Sequence, residues 1–425
     1  MGYRYSLSLT SQFPFCGIPL RLDTYSACQF ACRYCFASAR GGNVPASRAA
    51  VADHSSFARR LERVSKGFVS SVVDEFLAEK IPIHLGGMSD PFPPMESGLG
   101  VTLLHLLAAR EFQQPIVVST KGCGVASDRV IEVLAGGPFA VQVSLSTLDD
   151  SLSAAVDAGA PVSSERLRTM HLLSSAGIPV ACRIQPVLPG RESEVFDLIE
   201  ACAAVGVRHV AVEHLKLPIE RDWPNRKRLD SALRMNVKER FELYGAKRHG
   251  REWVLPVSLR LPAVLEYRDH ARRLGMSFGA ADTDLLHLSD GAVCCSGVDL
   301  LGLGQGFRFN YLEAIRSAKA HGRVELASIE EKWRPSRSIA MYVNSTSRSR
   351  PSCTVETEVR AKWSSGSHGV TPASFYGVEA HNPGQHNGSA VQYLLNDEVR
   401  ALMAPPGDHI VEHSRNGRIQ EESIT

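Results

Sequence analysis

Short, almost wholly apolar runs recur along the first half of the chain: Pro19 to Ser26, Ile81 to Gly87, Pro115 to Lys121, Phe139 to Thr147, Pro179 to Val187 and Arg208 to Leu215. Several run on without polar alternation, which predicts strands covered on both faces, as in a parallel sheet wound with helices. Between these runs the period lengthens. Val195, Leu198, Ile199 and Cys202 fall at i, i+3, i+4 and i+7, so one stripe of the helix after Gly190 faces the sheet and carries Cys202 into the core as a small hydrophobe. Leu61, Val64, Val72 and Phe76 predict one long helix; Leu167, Met170 and Leu173 mark another. Six strand–helix units predict an α/β fold, a partial (β/α)6 TIM-type barrel, with functional residues at the carboxyl ends of its strands.

Past Leu217 the pattern weakens. Residues 218–335 read as a C-terminal extension, charged and helical from Pro218 to about Gly250, with another helix over Pro262 to Leu274. After Trp333 the chain turns rich in Ser, Arg, Gly, Asn and Pro, most clearly over Ser345 to Pro351. Such composition buries too little apolar surface to order itself, so residues 336–425 predict a partly disordered tail with a short helix over Val391 to Met403. Residues 1–217 are then the barrel, and 218–335 a candidate substrate region.

Composition narrows the class. A 425-residue chain with 44% hydrophobic residues can bury a large core. A net charge of +2 neither requires nor excludes a nucleic-acid partner, because a local basic groove fits inside a neutral sum. The ten irregularly spaced cysteines favour reduced thiols and metal ligation, in a cytoplasmic protein, over a disulfide framework. No apolar run approaches a membrane span, and the opening Met1 to Ser6 lacks the apolar core of a signal peptide.

The candidate chemistry lies in Cys28-Gln29-Phe30-Ala31-Cys32-Arg33-Tyr34-Cys35. Three thiolates on one loop can hold three irons of a four-iron, four-sulfur cluster and leave the fourth open, whereas an electron-transfer cluster normally takes four cysteines. A structural zinc knuckle is the alternative, but zinc sites usually pair two ligand sets, and no matching Cys or His pair lies nearby. The spacing, with an aromatic before the last cysteine, resembles the signature of the radical S-adenosylmethionine (SAM) superfamily. The resemblance implies a [4Fe–4S] cluster on Cys28, Cys32 and Cys35, SAM chelated at the open iron, and a reductant such as a ferredoxin or flavodoxin. One electron then cleaves SAM to a 5′-deoxyadenosyl radical, which abstracts hydrogen from a substrate.

Four further stretches resemble the spore photoproduct lyase-like or DNA repair photolyase-like subset of that superfamily, over roughly residues 15 to 215. Gly86-Gly87-Met88-Ser89-Asp90-Pro91 matches a turn whose carbonyls receive the SAM amino group; glycines let the backbone approach, and Asp90 can accept from an ammonium. Ser119-Thr120-Lys121 matches a Thr-Lys pair that places a point charge by the SAM carboxylate. Ser144, in Val143 to Thr147, corresponds to a hydroxyl that contacts SAM. Arg183, in Arg183 to Gly190, could pair with the SAM carboxylate or substrate, or be held in a structural ion pair. One departure matters: where the lyases proper have a hydrogen-returning cysteine, this chain has Gly87. Thymine-dimer reversal by that route is unsupported, and Cys123, the nearest alternative thiol, reads as structural.

Cys294-Cys295 stands in a turn-rich segment, open to three readings: a second cluster with His287 and Cys353, a thiol pair near the substrate, or packing. The resemblance makes a nucleic-acid base a candidate substrate, with the Arg- and Lys-bearing stretch Arg221 to Arg251 as a rim for phosphates or simply a solvated face. Two other functions stay open: a radical SAM enzyme acting on a peptide, tRNA or small metabolite, and a non-enzymatic zinc or iron–sulfur module that binds nucleic acid.

Overall fold

The computed structural model describes residues 7–10, 12–39, 49–219, 223, 225–249, 251–304, 306–307, 310–317, 322–326, 355–365, 379–381 and 392–394. Its centre is a sheet running β1 (Leu7–Leu9), β2 (Leu20–Leu22), β3 (Ile83–Leu85), β4 (Ile116–Thr120), β5 (Phe139–Leu145), β6 (Val180–Val187) and β7 (His209–His214). A small antiparallel sheet of β8 (Leu217–Pro218), β9 (Lys247–His249) and β10 (Glu252–Val254) follows, and the chain then returns with β11 (Ser277–Ala280) beside β7. From β2 to β11 neighbours are parallel; only β1 runs against β2.

Helices complete the crossovers: α1 (Phe36–Ala39), α2 (His54–Ser65) and α3 (Val72–Ala78) before β3; α4 (Glu96–Leu99) and α5 (Val101–Glu111) before β4; α6 (Asp128–Ala135) before β5. Next come α7 (Asp150–Val156) and α8 (Ser163–Ser175) before β6, then α9 (Glu194–Ala204) before β7. This is the α/β, partial TIM-type architecture that the apolar runs predict. All six predicted strands form, and the α9 stripe is buried with Cys202 in the core. The expected long helix over residues 61–76 is two helices. Gly67, at φ +84°, ends the first, and the Ser71 side chain caps the second by accepting from the Asp74 N–H.

The β1 and β11 strands escaped the sequence pattern; β11, Ser-Phe-Gly-Ala, offers small residues where strands are usually branched. The sheet therefore reaches into the stretch read as an extension, which also supplies α10 (Arg226–Leu233), α11 (Val237–Leu243), α12 (Val257–Arg273) and α13 (Tyr311–Ser317). In the expected tail, Val355–Ser365 is a helix that packs Trp363 on the Tyr311 ring, with centroids 5.0 Å apart. Of the helix expected over Val391 to Met403, residues 392–394 are strand and the others lie outside the described residues. The clearest low-complexity run, 345–351, is outside them too.

The sheet's inner face is polar. Register sets Ser119 beside Gln142 and Ser144 beside Arg183, and period two keeps Gln142 with Ser144 and Arg183 with Gln185 on one face. His84 joins them through Ser119, at 2.8 Å, and Ser119 donates to Gln142 at 3.1 Å. Burial first, then the Arg183 charge, holds His84 down at about 4, so its imidazole is neutral at pH 7.

Candidate active site

The cysteine loop follows β2, the first parallel strand, at its carboxyl end. Ala31 takes a left-handed φ of +49°, which turns the chain between Cys28 and Cys32. Neighbouring loops fix the conformation. Arg33 N donates to Val156 O at 2.8 Å, Gly159 N to Phe30 O at 2.8 Å and Met95 N to Gln29 Oε1 at 2.9 Å. Gly159 lies so close that a Cβ there would sit 2.7 Å from Gln29 O.

Cys32 is buried; Cys28 and Cys35 are half-buried. Burial pushes the Cys28 thiol up to about 11, with the Asp90 charge assisting. Burial and then Asp157 raise Cys32 further, and Lys121 opposes them. Among the described residues no three His, Cys, Asp or Glu side chains converge as one ion would require. Thiolates that each take a different iron of a cluster need no such convergence, so the loop suits a cluster better than a single zinc.

Against this loop stands the turn from Gly86 to Asp90. Gly86 has a φ of +96°, and a Cβ there would fall 2.4 Å from Ser119 O, so only glycine fits. Asp23, paired with Arg21 at 3.0 Å, accepts from Met88 N at 2.8 Å and Ser89 N at 3.4 Å and so shapes the turn from beneath. The expected ligand side chains Ser89 and Asp90 tie the turn to its neighbours. Ser89 Oγ donates to Tyr25 O. Asp90 accepts from Thr120 Oγ1 at 2.6 Å, Phe92 N at 2.9 Å and Lys121 N at 2.6 Å, fastening the turn to the end of β4.

Lys121 leaves that strand end toward the cysteine loop. Its Nζ lies 5.5 Å from the centre of the Tyr34 ring and 3.9 Å from Asp157 Oδ1. Asp157 is the hub: it accepts from Tyr34 OH, from Arg166 Nη2 at 2.8 Å and from Ser146 Oγ at 3.4 Å. Burial would push its carboxyl up, but the Lys121 and Arg166 charges prevail and hold it below the usual range. Arg166, fully buried, also donates to Ser144 O at 2.9 Å and Ser153 Oγ at 2.9 Å. Sequence reading missed Asp157 and Arg166, which sit nine residues apart among mostly exposed or half-buried positions and match no motif.

Arg183 is held in an ion pair with Glu213. Its Nη2 pairs with Glu213 Oε2 at 2.7 Å, Gln185 bridges to the same carboxylate at 2.6 Å, and Lys216 reaches Glu213 Oε1 at 2.5 Å. Cys123 is half-buried in a turn after β4. Cys294 and Cys295 are buried on the segment that follows the last strand of the sheet, and Cys353 lies outside the described residues.

Beside the loop opens a cleft of about 670 Å³, lined by Arg33, Asp149, Arg191, Lys227, Arg228 and Arg234 among others. Arg191 pairs with Glu194 at 2.5 Å; the other four cations have no ion-pair partner among the described residues.

Residues 22–202, the stretch that carries this loop, turn and strand-end lysine, match the family model described as Radical SAM superfamily. This segment is a radical SAM domain. Its cofactors are accordingly a [4Fe–4S] cluster and SAM, and enzymes of this superfamily draw on a reductant. Among curated proteins, the uncharacterized protein Rv2578c of Mycobacterium tuberculosis is 26% identical over 211 residues, 47% of this chain and 60% of the relative; Mb2609c of Mycobacterium bovis matches equally. The chain thus spans about 60% of the length of the curated relatives it matches. Spore photoproduct lyase complexed with dinucleoside spore photoproduct is a structural neighbour at TM-score 0.46 and 17% identity, covering 64% of this chain and 77% of that one. SuiB of Streptococcus suis bound to S-adenosylmethionine follows at TM-score 0.35 and 15% identity, covering 53% and 49%. The radical SAM domain holds no described helix long and apolar enough to cross a membrane.

Proposed function

We propose that this chain is a cytoplasmic radical SAM enzyme that abstracts a hydrogen atom from a base of a nucleic acid. Cys28, Cys32 and Cys35 are the cluster ligands in this reading, the backbone of Gly86 and Gly87 receives the SAM amino group, and Lys121 and Ser144 face its polar end. Ser89 and Asp90 hold the turn that presents those carbonyls, and Arg183 with Glu213 sets the charge of the inner face. Bound together, cluster and SAM supply hydrogen-atom abstraction; these residues bind, orient and exclude water.

One observation carries the substrate class. Arg33 stands between Cys32 and Cys35 in sequence and also lines the cleft with Lys227, Arg228 and Arg234. Phosphates lying along those cations would lead a polyanion to the cysteine loop, and binding would release counterions in proportion to the contacts made. The test is anaerobic reconstitution followed by two measurements. Reduced protein should release 5′-deoxyadenosine from SAM, and Cys32→Ala should abolish both iron binding and release. Single-stranded oligonucleotide affinity should fall with salt, with a log–log slope shallower by about 0.7 per lost phosphate contact in Arg228→Glu and Arg234→Glu. SAM cleavage without salt-sensitive oligonucleotide binding would leave the enzyme and remove this substrate, favouring a peptide or small metabolite.

A further inference from the structure

A second gathering of thiols lies where the open sheet fails to close on itself. Cys16 stands on the connection from β1 to β2; Cys294 and Cys295 stand on the segment after β11. Cys16 Sγ is 3.8 Å from Cys294 Sγ, which is 4.0 Å from Cys295 Sγ. The surrounding backbone is packed tightly. A Cβ on Gly17 would fall 2.2 Å from Val293 Cγ1, and one on Gly279 would fall 1.9 Å from Cys295 O. Phe307 N also donates to Gly17 O at 2.9 Å, so the two connections are pressed together across the seam.

The middle sulfur differs from its neighbours. Contacts with the Cys16 and Cys295 thiols hold Cys294 well below the usual thiol range, while Cys16 and Cys295 are pushed up by the same contacts and by burial. Cys16 is half-buried, whereas Cys294 is 8% exposed. One thiol is thus the more accessible and the one behind it the better nucleophile. The adjacent pair Cys294-Cys295 is poorly placed to bond to itself. Neighbouring Cα atoms across a trans peptide are about 3.8 Å apart, under the roughly 4.4–6.8 Å that disulfides span.

We propose that Cys16 and Cys294 are a redox-active dithiol that closes to a disulfide across this seam, with a small glutathione-type disulfide as oxidant. The Cys16 thiolate attacks the oxidant, forming a mixed disulfide and expelling one thiolate, which takes the proton that Cys16 lost. The Cys294 thiolate then attacks Cys16 Sγ, forming the protein disulfide and expelling the second thiolate. Two electrons pass from the protein sulfurs to the reagent, and a reducing thiol reverses both exchanges. The bond would tie together residues 278 apart in sequence, joining the β1–β2 connection to the segment after β11.

The test uses full-length, cluster-loaded protein kept anaerobic in buffers of graded oxidised-to-reduced glutathione ratio, with iron content followed throughout. Non-reducing peptide mapping should find the Cys16 and Cys294 peptides joined, two hydrogens lighter, with iron retained. Cys294→Ser should instead accumulate one glutathione on Cys16, and Cys295→Ser should still form the bond. Cys16 remaining a free thiol at every ratio, a Cys294–Cys295 linkage, or bond formation only after iron is lost would each overturn the proposal.

Discussion

At the scale of single residues, the site depends on a carboxylate that no motif announces. Asp157 receives Tyr34, Arg166 and Ser146 and faces Lys121, so its neighbours would be left with uncompensated buried charge if it were neutralised. Asp157→Asn is expected to destabilise the protein by about 3–5 kcal/mol, measured as a lower urea midpoint at unchanged slope. A loss below about 1 kcal/mol would mean that Arg166 finds its hydrogen bonds elsewhere. Lys121→Met should keep iron yet weaken SAM binding by about 1.5–3 kcal/mol, the range for a hydrogen bond to a charged group, read by titration of the reconstituted protein. Cys28, Cys32 and Cys35 were legible because their spacing is local. Asp157 was not, because it gains meaning only when α7 and α8 bring Arg166 against it.

At the scale of elements, two contacts can be tested without touching a ligand. Gly159, just past α7, lies against the backbone of Gln29 and Phe30. Gly159→Ala should displace the cysteine loop and lower iron per chain after reconstitution, with circular dichroism unchanged; full iron loading would show the loop to be yielding. The second contact joins α2 to α3, where Asp74 pairs with Arg60 at 2.7 Å and Arg63 at 2.8 Å. Burial opposes ionisation there, but the Arg63 and Arg60 contacts bring the carboxyl down to about 2 from an ordinary 3.8. A folded-state value below the unfolded one stabilises the protein above pH 3.8, and that contribution fades as pH falls through about 2. Asp74→Asn should therefore lower the thermal midpoint at pH 6 and bring it closer to wild type toward pH 2.

On this scale the sequence was most readable, since apolar runs and helical stripes located six strands and the face of α9. The break between α2 and α3 was invisible to periodicity because apolar positions on both sides keep nearly the same phase across it. The polar inner face was hidden as well: Gln142 and Arg183 interrupt runs that are otherwise apolar, and only the strand register gathers them.

For the whole molecule, the apolar pattern ended at 217 but the sheet did not. Its last strand comes from residues 277–280, and its open side is covered by segments as distant as the helix Val355–Ser365, whose Lys362 donates to Phe13 O. Strand β7 thus has both neighbours only when β11 arrives. For a ribosome making this chain from its amino end, six parallel strands emerge well before the seventh, and until then β7 presents a bare, apolar edge on which other copies can add. Nascent chains should consequently lean on chaperones late in translation, and a fragment halted after Leu217 should accumulate in the pellet while the full-length chain stays in the supernatant.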